Sequence, residues 1–368
     1  MTEKITDKIE ALAAVKDAGW ELANVSDELK ADKEVVMVAL KSFGDGLQYA
    51  SDELKADKEV VMVAVKGSSS ALEYASDELK ADKEFMMAAI KAGSQLEYAS
   101  DKLKADKEVV MAAVNNDMYA LEYASDELKA DKEVVIAAVK FYDPTFEHAS
   151  DELKADKEFV MAAIKVSGGY TPLEHASDEL KADKEVVMAA VKDSGDALEL
   201  ASDELKADKE VVIAAVTDYS EQGLNHGDNF MYASNELQAD KEVVMAAIKA
   251  SGTTFTYASN ELQADKEVVM AAVKVNGNQL EHASDELKAD KEVVMAAVKE
   301  YGCALEHASD ELKADKEVVM AAVNNDVDAL LENGSIMDAL EYASDELKTD
   351  PEILGGVDVD YLKKRGIL

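Results

Sequence analysis

The chain has 368 residues, 78 acidic against 39 basic, and a formal net charge of −39. So negative a chain repels nucleic-acid phosphates, its one cysteine (Cys303) supports neither an internal disulfide nor a zinc cluster, and its 48% apolar share is too high for a disordered polyanion. No apolar run approaches the ~18 residues of a membrane span and the opening MTEKITDKIE has no apolar core of a secretory signal, so a cytoplasmic, intracellular protein is expected.

The block LEYASDELKADKEVVMAAVK recurs almost unaltered along the chain. In chain order its second aspartate is Asp32, Asp57, Asp82, Asp106, Asp131, Asp156, Asp183, Asp208, Asp240, Asp265, Asp290, Asp315 and Asp350, mostly 25 residues apart, with spacings of 24, 27, 32 and 35 as exceptions. A degenerate copy, DKIEALAAVK, starts at Asp7, and after Asp350 the run PEILGGVDVDYLKKRGIL replaces KEVVMAAVK. Atypical first and last units suit a stacked array, whose ends expose faces that interior units bury. The expected organisation is an N-terminal capping repeat over 1–31, a repeat array over 32–349 and a divergent C-terminal cap over 350–368.

Each unit reads as two short helices. Helix A is the ALEYASDEL segment, about 9 or 10 residues, in which Leu72, Ala75, Ser76 and Leu79 take i, i+3, i+4 and i+7. Asp143-Pro144 and Thr171-Pro172 each place a capping residue before a proline at its start. KAD then turns into helix B, where Asp32 caps KEVVMVALK and Val35, Val36, Ala39 and Leu40 make an apolar stripe. Asp350-Pro351 fits the same start. A glycine 12 residues after the aspartate in six units (Gly44, Gly168, Gly195, Gly252, Gly277, Gly302) predicts a left-handed end to helix B. Phe146, Phe230 and Phe255 at a helix-A leucine position, and Phe85 and Phe159 at a helix-B valine, are expected in the core. So is the methionine five residues after each aspartate, from Met37 to Met320, because Ile136 and Ile213 replace it in two copies. Helices this short are marginal alone and hold by packing on neighbours. The fold class predicted is all-α: an α-solenoid of about 13 stacked two-helix repeats, elongated or superhelical.

The blocks barely change; the linkers from helix B to the next helix A do, from SFGDG and GSSS to FYDPT and the long NNDVDALLENGSIMD. A constant scaffold with a variable ridge is how repeat proteins build binding surfaces; drift in connectors that pack against nothing is the other reading. The linker aromatics Phe43, Tyr119, Phe141, Tyr142, Tyr170, Tyr219 and Tyr301 are the candidate partner-binding residues. Phe141, Tyr142 and Tyr170 lie in consecutive linkers and make the densest group.

Other chemistry is thin. Tyr and His alternate at one helix-A position, from Tyr49 to Tyr342 with His148, His175, His282 and His307 among them, which predicts a half-exposed ladder with polar tips. Equivalent side chains one repeat apart lie too far from each other to share a metal, which needs ~2.0–2.1 Å per ligand, so no metal site is expected. In NNDVDALLENGS (324–335), Ala329 stands where a calcium loop needs its glycine and Ser335 where it needs its glutamate. Lysines in each block are expected to offset the acids through i,i+3 and i,i+4 pairs. No GxSxG, HExxH, P-loop or dinucleotide fingerprint occurs, and a uniform array offers no unique constellation; neither catalysis nor a cofactor is expected.

Units of the form LxYASxELKxDKEVVxAAVK, about 25 residues long, resemble the repeat family known as domain of unknown function 4116, over roughly residues 7 to 350. The resemblance implies an all-helical array and brings no catalytic residue, cofactor or partner. Departures are Asn24 and Leu200 at the Tyr/His position, Lys102 for Glu, and SNELQAD at 234–240 and 259–265. The residues themselves point to a non-enzymatic scaffold for protein–protein interaction, monomeric, with a protein or peptide partner of basic character and with neither nucleic acid nor membrane. The alternative is a structural or polyanionic array with weak, unspecific cation binding and no specific partner.

Overall fold

Helix B forms as its sequence requires. In one unit of the computed structural model, which describes residues 4–217, 227–333 and 339–354, it spans Lys58–Gly67. Asp57 stands just outside in extended conformation, and its Oδ1 accepts hydrogen bonds from the amides of Glu59 and Val60. That cap satisfies first-turn amides with no partner inside the helix. Val60, Val61, Ala64 and Val65 turn inward and are at most 2% exposed; each buried valine contributes roughly 1.5–3 kcal/mol. The same four positions are buried in each helix B from Lys33–Leu40 to Lys291–Glu300. Phe85, Phe146, Phe159, Phe230 and Phe255 are buried as expected, with the Phe146 and Phe159 rings stacked 6.2 Å apart. The methionine stripe is different: Met37, Met62, Met111, Met188 and their equivalents are half-buried. At 100° per residue the fifth position after the cap falls on the margin of the inward face, so these side chains edge the core rather than fill it.

Helix A is divided in two. In the same unit a 3₁₀ turn spans Ser69–Tyr74, Ala75 and Ser76 are extended, and a four-residue α-turn follows over Asp77–Lys80. Ser76 accounts for the break. Its backbone N–H donates to the carbonyl of Lys55 in the preceding unit at 2.9 Å, and its Oγ accepts from Leu79 N. An unbroken helix would use that amide within the helix, on the carbonyl four residues back. The chain divides into two compact units, Met1–Ser177 and Asp178–Leu368, and the backbone rung recurs in both. In the first it joins Ser51 to Lys30, Ser100 to Lys80, Ser125 to Lys104, Ser150 to Lys129 and Ser177 to Lys154; in the second it runs from Ser202 to Lys181 through to Ser344 to Lys313, with Gln238 and Gln263 giving two of the carbonyls. Among the described residues there is no strand, only an isolated bridge between Ile5 and Val25. The fold is an all-α repeat array of the α-solenoid class.

A second rung is ionic. Lys33 Nζ reaches Asp57 Oδ2 and Glu59 Oε2 of the next unit, both at 2.8 Å. Lys83 to Asp106 and Glu108, Lys107 to Asp131 and Glu133, Lys184 to Asp208 and Glu210, and Lys266 to Asp290 and Glu292 repeat the pattern. Lys316 continues it to Asp350. The lysines therefore bridge neighbouring repeats, and the expected i,i+3 and i,i+4 pairing is sparse: Lys55–Asp52 at 4.0 Å and Lys348–Asp345 at 3.6 Å are i,i+3 contacts. The capping aspartates of these pairs thus do two jobs, holding their own helix and the lysine of the preceding repeat.

The glycines close the packing. Gly44, Gly195 and Gly277 do not take the left-handed conformation predicted for them; of the six, Gly168 alone has positive φ, at 102°. They open the 3₁₀ turns instead. A Cβ on Gly44 would stand 2.3 Å from the carbonyl oxygen of Ala64, and the same 2.3 Å separates Gly195 from Ala215 and Gly277 from Ala297. Glycine here lets one repeat's turn rest on the next repeat's helix. Likewise Asp143 and Thr171 are not N-caps: Thr171 Oγ1 donates to Asp143 Oδ2 at 2.9 Å, across repeats. Much of the long linker at 324–338 is helical too, since Lys316–Asn333 is one helix of 18 residues.

Candidate functional site

Two surfaces remain once the rungs have taken their share of the polar groups: the Tyr/His ladder and the linker ridge. In the ladder, Tyr49, Tyr74, Tyr98, Tyr123, His148, His175, Tyr257, His282, His307 and Tyr342 are all half-buried, as expected. Glutamates flank them. Glu73 raises the Tyr74 phenol above its ordinary value, and burial followed by Glu97 raises Tyr98. Burial lowers the His307 imidazole, whose Nε2 lies 3.3 Å from Asn278 Oδ1 of the preceding repeat. The DELK lysine lies against the same strip: Lys30 sits 6.0 Å from the centre of the Tyr49 ring and Lys104 5.9 Å from that of Tyr123. Lys80 Nζ donates to the Glu73 carbonyl at 2.6 Å and Lys154 Nζ to that of Glu147 at 2.7 Å, closing the open end of the 3₁₀ turn. Gln238 and Gln263 donate to carbonyls of the same turn, so the SNELQAD copies keep the bond without the charge. Where Leu200 replaces the ladder residue, a shallow depression of about 390 Å³ opens, lined by Lys181, Ser202 and Glu204 among others. No group of three or more metal-ligating side chains gathers among the described residues.

The linker ridge is ordered by bonds between neighbours. Ser70 Oγ donates to Asp45 Oδ1 at 2.9 Å, Ser94 Oγ to the Ser69 carbonyl at 3.2 Å, and Asn325 holds both Gly302 N and the Lys299 carbonyl at 2.8 Å. These linkers are therefore packed connectors, and the aromatics on them separate into two groups. Tyr119, Phe141 and Tyr142 are exposed, at 50%, 51% and 41%. Phe43, Tyr170 and Tyr301 are half-buried. The Cβ of Phe43 and that of Tyr301 stand close to Gly19 and Gly277 respectively, so these rings belong to the contact between repeats. Tyr219 lies outside the described residues. Sequence reading missed Met118 and Val166, each 40% exposed. A ranking by aromatic content passes over them, whereas their place in the repeat, Val166 in the last turn of helix B and Met118 in the linker after it, marks them.

The charge distribution favours no single point on the array. Lys33 holds the Asp57 carboxyl below the ordinary carboxylate range, and Asp57 and Glu59 hold Lys33 above the ordinary amine value. The acidic residues that open the four-residue turns face solvent; the Asp52 side chain is fully exposed.

No curated protein and no solved structure matches the chain. A family match does cover nearly all of it, in overlapping stretches at 7–55, 32–80, 57–95, 82–129, 131–181, 183–238, 224–263, 240–288, 265–313 and 290–332. The rungs explain why such stretches overlap, since each repeat is completed by the aspartate, serine and carbonyl of its neighbour. With its repeats matched from residue 7 to residue 332, the chain belongs to the family described as Domain of unknown function (DUF4116).

Proposed function

We propose that the protein is a non-enzymatic scaffold for protein–protein interaction, binding a basic protein or peptide through the linker ridge. One observation carries the reading. The near-invariant block directs its serine amides, capping aspartates and helix-B lysines to neighbouring repeats, while the variable linkers present Tyr119, Phe141 and Tyr142 to solvent. Large exposed aromatics are the side chains that anchor interfaces, and a charge of −39 steers a cationic partner to them. Repeats that carry the same side chains at each step do not offer the single constellation that catalysis needs. Within this reading residues 1–31 and 350–368 cap the array, and the protein works as a cytoplasmic monomer.

The test is capture from the native cell followed by titration of the purified partner. The scaffold reading expects one saturable, basic partner whose binding is lost when residues 115–119 and 141–144 are exchanged for the linker GSSS. Promiscuous cation binding that salt abolishes and linker exchange leaves unchanged would favour the polyanionic array instead.

A further inference from the structure

We propose that the docking surface is one apolar cluster in the unit Met1–Ser177, formed by Met118, Tyr119, Phe141, Tyr142 and Val166, and that its occupant is a segment of a partner protein in which lysine or arginine alternates with large apolar residues. The proposal rests on the scaffold reading and names its site. Among the described residues nine large apolar side chains are exposed, and these five lie in three consecutive repeats, Met118 and Tyr119 in a linker turn and Phe141, Tyr142 and Val166 at the ends of the next two helices B. The other four, Ile9, Trp20, Met231 and Val275, are scattered through the sequence, and single exposed apolar residues are ordinary.

Repeat register makes the five contiguous. Counting from the capping aspartate, a glycine at position 12 of one repeat lies against positions 10 and 11 of the next, which sets the neighbourhood of position 12. Gly19 meets Ser42 and Phe43, Gly44 meets Gly67 and Ser68, and Gly252 meets Val275 and Asn276. Met118 is position 12 of its repeat, and Phe141 and Tyr142 are positions 10 and 11 of the next, at the same spacing of 25. Val166 repeats position 10 one step further on. Register thus sets the five on neighbouring repeats along one edge, where the proposed strip crosses repeats.

Its edge supplies the electrostatic half. Asp117 Oδ1 accepts the amide of Tyr119 at 3.0 Å, whereas Asp117 Oδ2 is shielded from solvent and has no hydrogen-bond partner. The carboxylate adds negative charge at the edge of the strip, which favours a lysine or arginine on the occupant. A second copy of this chain would bring another 39 negative charges, so charge complementarity selects a cationic partner over self-association.

The experiment compares two labelled synthetic peptides of equal length and charge, one alternating lysine with leucine and one lysine with serine, by fluorescence anisotropy at ~0.15 M salt. The full chain is expected to bind the leucine peptide at least about tenfold more tightly. The Y119S/F141S/Y142S variant should lose that preference, and Val275→Ser should keep it. Phe141→Lys, at an exposed helix end, places like charge against the peptide and should give the same loss should the triple variant fail to fold. Retained preference in a folded triple variant would overturn this site and leave the scaffold reading standing. Equal affinity for both peptides in the unmodified chain would overturn the site and point to the polyanionic array; binding of neither would remove the basic-partner reading as well. Sedimentation showing a dimer that the triple variant dissociates would assign the strip to a second copy and overturn the proposed occupant.

Discussion

Replacing Ser76 by proline isolates the backbone rung. Ser76 has φ −64° and ψ 154°, and Ala75 before it has φ −69° and ψ 156°; proline and the residue preceding it adopt these angles without strain. What proline removes is the N–H that donates to Lys55. Ser76→Ala serves as the control, because it removes the side chain's bonds, the 3.4 Å cap on Leu79 and the contact with Glu78, and keeps the N–H, a loss within the ~0.5–2 kcal/mol range for caps. Beyond that, the proline variant loses a hydrogen bond worth about 1 kcal/mol net and leaves a carbonyl without its partner, a further ~1–3 kcal/mol when shielded. Stiffening of the unfolded chain returns ~0.4–1 kcal/mol. Ser76→Pro should therefore be less stable than Ser76→Ala by about 2 kcal/mol, read as a lower urea midpoint by circular dichroism. Equal midpoints would refute the claim that this bond couples the repeats.

Gly44→Ala should destabilise by about 1–3 kcal/mol through its contact with the Ala64 carbonyl, whereas Gly46→Ala, which restores the alanine of Ala71, Ala120, Ala197 and Ala304 at the same register, should be neutral or mildly stabilising; equal losses in urea titrations would contradict the close-approach role. The folded-state pKa of Asp57 and Asp290 is lowered, first by their lysine partners, so their contribution is present above the unfolded value near 4 and is lost as pH falls through the folded value. Lys33 and Lys266 are raised by their aspartate and glutamate partners, so their contribution is present below the unfolded value near 10.5 and lost as pH rises through the folded one. Thermal melts should accordingly fall off in acid below about pH 4 and again in strong alkali, and a melting temperature flat from pH 5 to 2 would argue against the ionic rung. Raising salt from low values to ~0.15 M should raise Tm, because relief of repulsion among an excess of 39 acids outweighs screening of exposed bridges; a steady fall would reverse that ranking.

Periodicity made helix B legible, since Asp57 as cap and Val60, Val61, Ala64 and Val65 as core follow from residue type and spacing alone. Helix A was less so. Leu72, Ala75, Ser76 and Leu79 satisfy a helical period, yet the amide of Ser76 is taken by Lys55 of another repeat, and a one-unit reading cannot see a partner 21 residues away. The glycines misled for the same reason: Gly44 answers to the Ala64 carbonyl, not to its own helix end. Lys33 likewise pairs forward to Asp57 rather than within its helix. At the candidate site the aromatic signal found Tyr119, Phe141 and Tyr142, but could not separate them from Phe43 and Tyr301, whose burial is set by packing between repeats.

Amide hydrogen exchange with and without the lysine–leucine peptide tests the account's central claim, that a fixed lattice between repeats holds up a variable binding ridge. The serine amides that donate to the preceding repeat, Ser51, Ser76, Ser125 and Ser150 among them, should exchange slowly in both states, while amides at 115–119 and 141–145 should slow only when the peptide is bound. Serine amides exchanging as fast as those of the linkers, or peptide protection spread evenly over the Asp-Glu turns with none on the ridge, would contradict it.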